Sequence, residues 1–340
     1  MRTLAPHSLS PIMTVNQKPS TALSVVMPLY NGVHDVLRAV HSVLLQRVSD
    51  FELIVVNDGS TDGGEKLIRG VNDGRIRVVS QENKGVSAAR NRGIAEAHNE
   101  LVAFLDADDE WKPDFLETIC RLRSTFPECS VFATHYTYRE LDGSARSPIL
   151  HRVPSGDWEG VLKNYFEVAS QSDPPLWSSA IAVRKSALQS VGGFPEGIAI
   201  GEDLLTWARL AIDHQIAFSK RQCAVFRLRG PLTGFPTRIP ELPDRVGKEL
   251  TRLMAHARPE QQKDFRRYAS MWHRMRASMF VQLDRSDDAV DDVRQMRRFS
   301  KTDPRIAMYF LLAKTPRMLR KVVLQIFTFM RALRRRVLLW

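Results

Sequence analysis

The chain has 340 residues, of which 44% are hydrophobic, and a formal net charge of +11. This length and apolar content are enough to bury a large core, so they exclude a disordered chain and predict one main domain with an extension. The positive charge predicts an anionic partner, which the charge alone does not identify as a nucleotide diphosphate, a membrane surface or a nucleic acid.

The cysteines and the N-terminus predict a protein that stays inside the cell. Cys120, Cys129 and Cys223 are odd in number and lie on or beside apolar segments without metal-site spacing, so reduced core thiols are expected. No run approaches the ~20 apolar residues that cross a bilayer. Residues 1–20 lack the apolar centre of a secretion signal and are expected to form a flexible leader.

Short apolar runs alternate with helical patterns in the first part of the chain. Strands are predicted at 23–27, 51–56, 76–79 and 101–105, with helical apolar spacing at 33–44 and 86–97. This alternation predicts right-handed parallel crossovers and therefore an α/β fold with an open, doubly wound sheet.

The pattern becomes less regular after residue 111. Helices are predicted at 113–124, 184–191 and 202–212, strands at 130–138 and 177–183, and a Gly-rich loop at 192–201. From residue 242 onward the chain is expected to be helical and strongly basic.

Two aspartates follow predicted strands directly. Asp58 ends the second strand and Asp106 ends the fourth, and ligands of such sheets bind outside the carboxyl ends of the strands. The first strand is followed by Pro28-Leu-Tyr-Asn-Gly32, not by a Gly-x-Gly-x-x-Gly turn, and no Walker-type lysine loop occurs. The sequence therefore lacks the signatures of the two common nucleotide-binding folds.

The Asp106-Ala-Asp108 pair is a candidate metal site. Two carboxylates spaced two residues apart at a strand end can face one point, where a hard divalent cation accepts their oxygens. The alternative is a solvated acidic turn. A calcium-binding loop is excluded, because its sixth position, which needs glycine, is Trp111.

A second acidic pair, Glu202 and Asp203, begins the helix that follows the Gly-rich loop. The alternative explanation for this pair is favourable interaction with the helix dipole, which contributes ~0.3–1 kcal/mol.

Five motifs in order resemble those of the family two glycosyltransferases. They are Ser24-Val-Val-Met-Pro-Leu-Tyr-Asn31, Val55-Val-Asn-Asp-Gly-Ser-Thr-Asp62, Asn83-Lys-Gly-Val-Ser-Ala-Ala-Arg-Asn-Arg-Gly-Ile94, Phe104-Leu-Asp-Ala-Asp-Asp109, and Gly192-Gly-Phe-Pro followed by Glu202-Asp203. The resemblance covers residues 22–229. It implies a Rossmann-like GT-A fold that binds a nucleotide-diphosphate sugar and inverts the anomeric centre in one displacement.

The resemblance also implies roles for individual residues. Asp58 would hydrogen-bond the nucleotide base beside a wall formed by Pro28 and Tyr30, and Arg90 would contact the base or a phosphate. Asp106 would lie near the ribose and the metal, and Asp108 on the metal, which is expected to be Mg²⁺ or Mn²⁺. Asp203 would be the catalytic base, with Glu202 as the second candidate.

The resemblance predicts the class of reaction. The expected donor is a UDP-sugar, and the expected acceptor is a glycan or a lipid-linked intermediate in cell-surface polysaccharide synthesis, with no nucleic acid involved. No Gln-x-x-Arg-Trp sequence follows the base, which favours a single addition over chain elongation. Two alternatives stay open: an inactive relative that binds nucleotide sugars or glycans, and a sugar-phosphate nucleotidyltransferase.

The predicted domains are a leader (1–20), a catalytic domain (21–230, with a nucleotide-binding part to about 110) and a basic helical extension (231–340). In a helix starting near Thr315, the apolar side chains from Leu319 to Val337 fall on one face and basic side chains on the other. Such a helix suits an anionic membrane surface, so the expected location is cytoplasmic, with peripheral contact at the inner face of the membrane. The alternative is that this face packs on the core or on a second subunit.

Overall fold

The computed structural model describes residues 22–228, 238–320 and 323; the predicted leader lies outside them. Within these residues the strands are β1 Leu23–Leu29, β2 Phe51–Asp58, β3 Ile76–Gln81, β4 Leu101–Phe104, β5 Glu110–Trp111, β6 Val131–Arg139, β7 Ala145–Arg146, β8 Glu159–Val161, β9 Ile181–Arg184 and β10 Ile216–Arg227. The helices are α1 Val36–Leu44, α2 Gly64–Arg69, α3 Val86–Glu96, α4 Phe115–Thr125, α5 Tyr165–Gln171, α6 Lys185–Ser190, α7 Glu202–Asp213, α8 Arg245–Met254, α9 Gln262–Gln282, α10 Ser286–Phe299 and α11 Arg305–Lys314.

The described strands form one mixed sheet with the order β3-β2-β1-β4-β9-β6-β10-β5, to which β7 and β8 are added at β6 and β10. β1 pairs in parallel with β2 on one side and with β4 on the other, as the alternating pattern predicts. The far half is mixed, because β9 runs antiparallel to both β4 and β6. The carboxyl ends of β1, β2 and β4 therefore lie together at one edge.

Both faces of the sheet are covered. Alternate residues of β1 belong to two apolar clusters: Val25 and Met27 share one with residues of α1 and α4, whereas Val26 shares the other with residues of α3, α7 and α9. Burial on both faces explains why these strands are continuous apolar runs in the sequence.

The C-terminal helices continue one of these layers. Phe265, Tyr268 and Trp272 of α9 are buried in the same cluster as Val26 and the apolar residues of α7. The expectation of helices after residue 242 is confirmed for the described part of the chain. No helix among the described residues is long and apolar enough to cross a bilayer.

The structure corrects one predicted strand. Residues 178–180 of the predicted strand 177–183 form a 3₁₀ turn, and the strand itself is Ile181–Arg184. In this turn the Ser179 hydroxyl donates to Asp109 Oδ2 (2.5 Å) and accepts from the Asp106 amide (3.0 Å), which fixes the turn against the acidic string 106–109. The three cysteines are free thiols, as predicted.

Candidate active site

A cleft of about 540 Å³ opens at the carboxyl ends of β1, β2 and β4. Neighbouring strands lie about 4.8 Å apart, so side chains that follow β2 and β4 are about 10 Å from one another across β1. The cleft is lined by most of the residues predicted from the sequence, namely Pro28, Tyr30, Asp58, Arg90, Asp106, Asp108 and Glu202.

Asp58 is buried at the end of β2. Its Oδ1 accepts hydrogen bonds from Gln81 Nε2 (2.8 Å) and from the Lys84 amide (3.0 Å), and its Oδ2 accepts one from the Gly85 amide (2.8 Å). A carboxylate can accept about four such bonds. Asp58 therefore fixes the loop that starts α3 and keeps about one acceptor position for a ligand.

Pro28 and Tyr30 form the wall at the end of β1. The pairing of β1 with β4 ends at Val26, opposite Phe104. Pro28 lies beyond this point, so its lack of an amide hydrogen removes no hydrogen bond to β4. The Tyr30 side chain is 57% exposed, and it presents an aromatic surface at the mouth of the cleft.

Arg90 connects the two acidic motifs. A Cβ on Gly93 would lie 2.2 Å from Val26 Cγ1, so glycine allows α3 to lie close against β1. One turn earlier, the buried Arg90 donates from Nη2 to both carboxylate oxygens of Asp106 (2.8 and 3.1 Å), and its Nη1 lies 3.5 Å from Glu202 Oε1. Burial lowers the pKa of Arg90, but Asp106 and Glu202 raise it above its ordinary value.

The third aspartate of the acidic string has a different environment. Asp109 is buried, and its Oδ2 accepts hydrogen bonds from Ser179 Oγ (2.5 Å) and Trp177 Nε1 (3.2 Å). Burial and the charges of Asp106 and Asp108 raise the pKa of Asp109 well above its ordinary value. The string is therefore not a simple solvated turn, because Asp109 anchors it while Asp106 and Asp108 line the cleft.

Glu202 and Asp203 occupy the first turn of α7. Glu202 lines the cleft, whereas Asp203 is partly buried beside it and is not among the described lining residues. Burial and the charge of Asp203 raise the pKa of Glu202 to about 7. Burial also raises the pKa of Asp203, against the opposing effect of Arg90. Glu202, buried beside the partly buried Asp203, is thus a group that can take up a proton near neutral pH.

Residues 24–190 match the family model of glycosyl transferase family 2. This part of the chain therefore belongs to glycosyl transferase family 2.

Among curated proteins, an uncharacterized glycosyltransferase of Rickettsia bellii (strain RML369-C) is 32% identical over 215 residues, which are 63% of this chain and 30% of that protein. TuaG of Bacillus subtilis (strain 168), a glycosyltransferase described in connection with teichuronic acid biosynthesis, is 37% identical over 44% of this chain and 59% of its own length. The chain thus spans about a third of the length of the first curated relatives that it matches.

A solved structure extends the likeness beyond the family 2 domain. The crystal structure of S. aureus TarS 1-349 in complex with UDP-GlcNAc superposes with a TM-score of 0.61 at 18% identity, and covers 86% of this chain and 88% of that one. At this identity the likeness concerns the fold alone. The GT-A fold predicted from the family 2 motifs is confirmed, and the match includes C-terminal helices.

The acidic residues of the family 2 domain fit a divalent cation. Asp106 and Asp108 line the same cleft, and burial together with their charges raises the pKa of the neighbouring Asp109. Mg²⁺ and Mn²⁺ are commonly held by one or two carboxylates together with substrate phosphates. Asp106 also pairs with Arg90, whose Nη2 lies 2.8 Å from Asp106 Oδ1.

Sequence reasoning did not identify Arg238 as a residue of the family 2 cleft. Arg238 lines it and donates from Nη1 to the Ala199 carbonyl at 3.1 Å. No motif includes this residue, which follows β10 in the chain and reaches the cleft only through the tertiary fold.

Proposed function

We propose that the protein is a metal-dependent inverting glycosyltransferase that moves one sugar from a nucleotide-diphosphate sugar to a hydroxyl acceptor. The observation that carries this proposal is the single cation of Arg90, which joins Asp106 at the end of β4 to Glu202 at the start of α7. A residue proposed to help hold the metal ion and a residue of the acidic pair proposed for proton transfer are thereby bound by one guanidinium.

The donor would bind along the carboxyl ends of β1 and β2. Asp58 would accept a hydrogen bond from the nucleotide base, and Pro28 and Tyr30 would contact its faces. The TarS complex contains UDP-GlcNAc, which supports a UDP-sugar as the donor.

Asp108, with Asp106, would hold a Mg²⁺ or Mn²⁺ ion. Such an ion, when bound, supplies positive charge at the departing diphosphate. Arg90 keeps the Asp106 carboxylate oriented through two hydrogen bonds, and it also lowers the cost of keeping several carboxylates ionised in one place.

Asp203 would accept the proton of the acceptor hydroxyl, with Glu202 as the second candidate. A general base works best when its pKa lies near the working pH, and burial raises the pKa of both residues. Because base and diphosphate lie on opposite sides of the sugar in a single displacement, the product would have the inverted anomeric configuration.

The acceptor would be a glycan or a lipid-linked intermediate of cell-surface polysaccharide synthesis, which the description of TuaG supports.

We also propose peripheral contact with the inner membrane surface. Helical residues 317–320 expose Met318 (86%) and Leu319 (57%), while Arg317 and Arg320 pair with Asp284. The remainder of the predicted amphipathic helix lies outside the described residues, except Val323.

The proposed donor class is tested by calorimetric titration of the protein with UDP, GDP and ADP, each with and without Mn²⁺. We expect tight binding of one nucleoside diphosphate, UDP, that weakens at least tenfold without the metal. Binding of a nucleoside triphosphate together with a sugar phosphate, but of no diphosphate, would instead support a nucleotidyltransferase.

A further inference from the structure

Residues 238–245 of the C-terminal extension hold the loop that leads into Glu202 and Asp203. Arg245 donates from Nη1 to the Gly197 carbonyl (2.7 Å) and from Nη2 to the Glu196 carbonyl (3.3 Å). The Ala199 amide donates to Glu241 Oε1 at 2.6 Å. Three main-chain groups of the loop are therefore fixed by two side chains of the extension.

We propose that Arg245 and Glu241 are positioning residues, which hold the loop 196–201 so that Glu202 and Asp203 are correctly aligned with the bound donor. This role rests on the proposed function, because alignment matters only if the acidic pair acts on a substrate. It assigns a part in the reaction to a segment outside the matched family 2 residues 24–190.

The extension also contacts the chain at the start of α7, on both sides of the acidic pair. Gly201 has a φ of +88°, and a Cβ there would lie 2.5 Å from Trp272 Cζ3, so the backbone is pressed against α9. On the other side of the pair, Tyr268 donates from its hydroxyl to the Leu204 carbonyl at 2.9 Å. Glu202 and Asp203 thus lie between two contacts with the same helix.

The segment 238–245 is itself anchored in a buried ionic network. Asp244 caps α8 by accepting from the Gly247 amide (2.9 Å), and it accepts from Trp272 Nε1 (3.0 Å). Arg276 is buried, donates from Nη1 to the Glu241 carbonyl (3.1 Å) and pairs with Asp292 (3.1 Å). Arg276 Nε also lies 3.3 Å from Asp244 Oδ2, so its guanidinium supplies positive charge between the two carboxylates and connects the segment to α9 and α10.

The hydrogen bonds of Arg245 and Glu241 are separate from the proposed contacts to the nucleotide. Those contacts come from Asp58, Pro28 and Tyr30, at the carboxyl ends of β1 and β2, and within the described part of the chain Arg245 and Glu241 donate no hydrogen bond to these residues and accept none from them. A looser loop should therefore lower turnover while the affinity for nucleotide stays the same. Displacement of a catalytic group by about 1 Å can cost about 10²-fold in rate.

The test compares Arg245→Ala and Glu241→Gln with the matched control Arg252→Ala, whose arginine lies on the same helix and pairs with Glu249 at the surface. We expect kcat for donor cleavage to fall at least tenfold in the two test variants, with the Kd for UDP and Mn²⁺ within about twofold of wild type. Arg245→Lys should be intermediate, because one ammonium group can replace only part of the two-carbonyl contact. The control should match wild type.

Hydrogen exchange gives a second readout that does not depend on activity. The amides of residues 196–201 should exchange at least tenfold faster in Arg245→Ala, with the Gly85 amide unchanged. Wild-type kcat in Arg245→Ala, or unchanged exchange in the loop, would overturn the positioning role. If wild type cleaves no donor and binds no nucleotide, the proposed function fails instead, and the exchange result still decides whether the extension holds the loop.

Discussion

Arg90 donates two hydrogen bonds from Nη2 to the carboxylate of Asp106, at 2.8 and 3.1 Å. The two residues come from α3 and from the turn after β4, and the Arg90 side chain is only 4% exposed. A buried cation with two carboxylate partners, Asp106 and Glu202, links the candidate metal site to the acidic pair Glu202 and Asp203. The two halves of the proposed chemistry are therefore coupled through one side chain.

Removal of this cation should destabilise the fold. Arg90→Met keeps much of the side-chain volume but leaves Asp106 and Glu202 without their partner, and breaking a buried pair in this way costs about 3–5 kcal/mol. We expect a loss in the free energy of unfolding near the lower end of that range, because Asp106 is 24% exposed, as measured by urea denaturation.

The matched control is Arg92→Met, on the same helix. Arg92 pairs with Glu96 at the surface, where its side chain is 46% exposed, and such pairs contribute about 0–1 kcal/mol. Equal losses in the two variants would show that the Arg90 contacts have no special energetic role.

The assignment of the base predicts different effects for two neighbouring substitutions. Asp203→Asn keeps the shape of the side chain and removes the proton acceptor, so nucleotide binding should persist while transfer falls by about 10²- to 10⁴-fold. Glu202→Gln should have a smaller effect, through its contact with Arg90. An active Asp203→Asn variant together with an inactive Glu202→Gln variant, in steady-state assays, would reverse the two roles.

The raised pKa of Glu202 predicts that the stability of the fold depends on pH. Its pKa rises from 4.5 to about 7 on folding, so the folded protein binds more protons than the unfolded chain between these values. The free energy of unfolding should therefore fall as the pH rises from about 4.5 to about 7. Glu202→Gln should be stabilised relative to wild type by about 2–3 kcal/mol more at pH 8 than at pH 4.5, measured by denaturation in the presence of a chelator. A difference that does not change with pH would contradict the raised pKa.

Local sequence patterns were sufficient to predict the strands of the parallel half of the sheet. Strands β1, β2 and β4 are mainly apolar runs, and Asp58 and Asp106 end two of them, so the meeting of these aspartates at one sheet edge follows from the topology. β10 was not predicted, because its middle residues Ser219 to Gln222 are polar and its pairing with β6 shifts register there. An irregular strand of this kind depends on partners that are distant in sequence.

The environment of each acidic residue was less predictable than its presence. Asp109 reads in the sequence as one more carboxylate beside Asp108, yet it is buried against Ser179 and Trp177, some 70 residues away. Arg90 likewise reads as a candidate phosphate ligand, and its contact with Glu202 crosses 112 positions of sequence. Partners this distant are fixed by tertiary packing, which no local motif encodes.

The membrane proposal predicts that exposed apolar residues after α11 contribute to lipid binding. Leu319→Glu should reduce co-sedimentation with anionic liposomes, and a protein that ends at Lys314 should lose it while still cleaving donor. Binding by wild type should weaken as salt rises. The matched control is Leu141→Glu, at a leucine that is 69% exposed in the turn after β6. Equal binding by wild type and the shortened protein would favour packing of the helix on the core or on a second subunit.

The most direct test of the proposed activity is the release of nucleoside diphosphate from a panel of nucleotide sugars in the presence of Mn²⁺, which needs no known acceptor. Wild type should release the diphosphate from at least one donor, a UDP-sugar. Asp108→Ala, or wild type in excess chelator, should reduce release by at least about 10²-fold while thermal unfolding stays the same. Equal release by Asp108→Ala and wild type would contradict the metal role of the acidic pair. Nucleotide binding by wild type without release from any donor would contradict the proposed activity and favour an inactive binding protein.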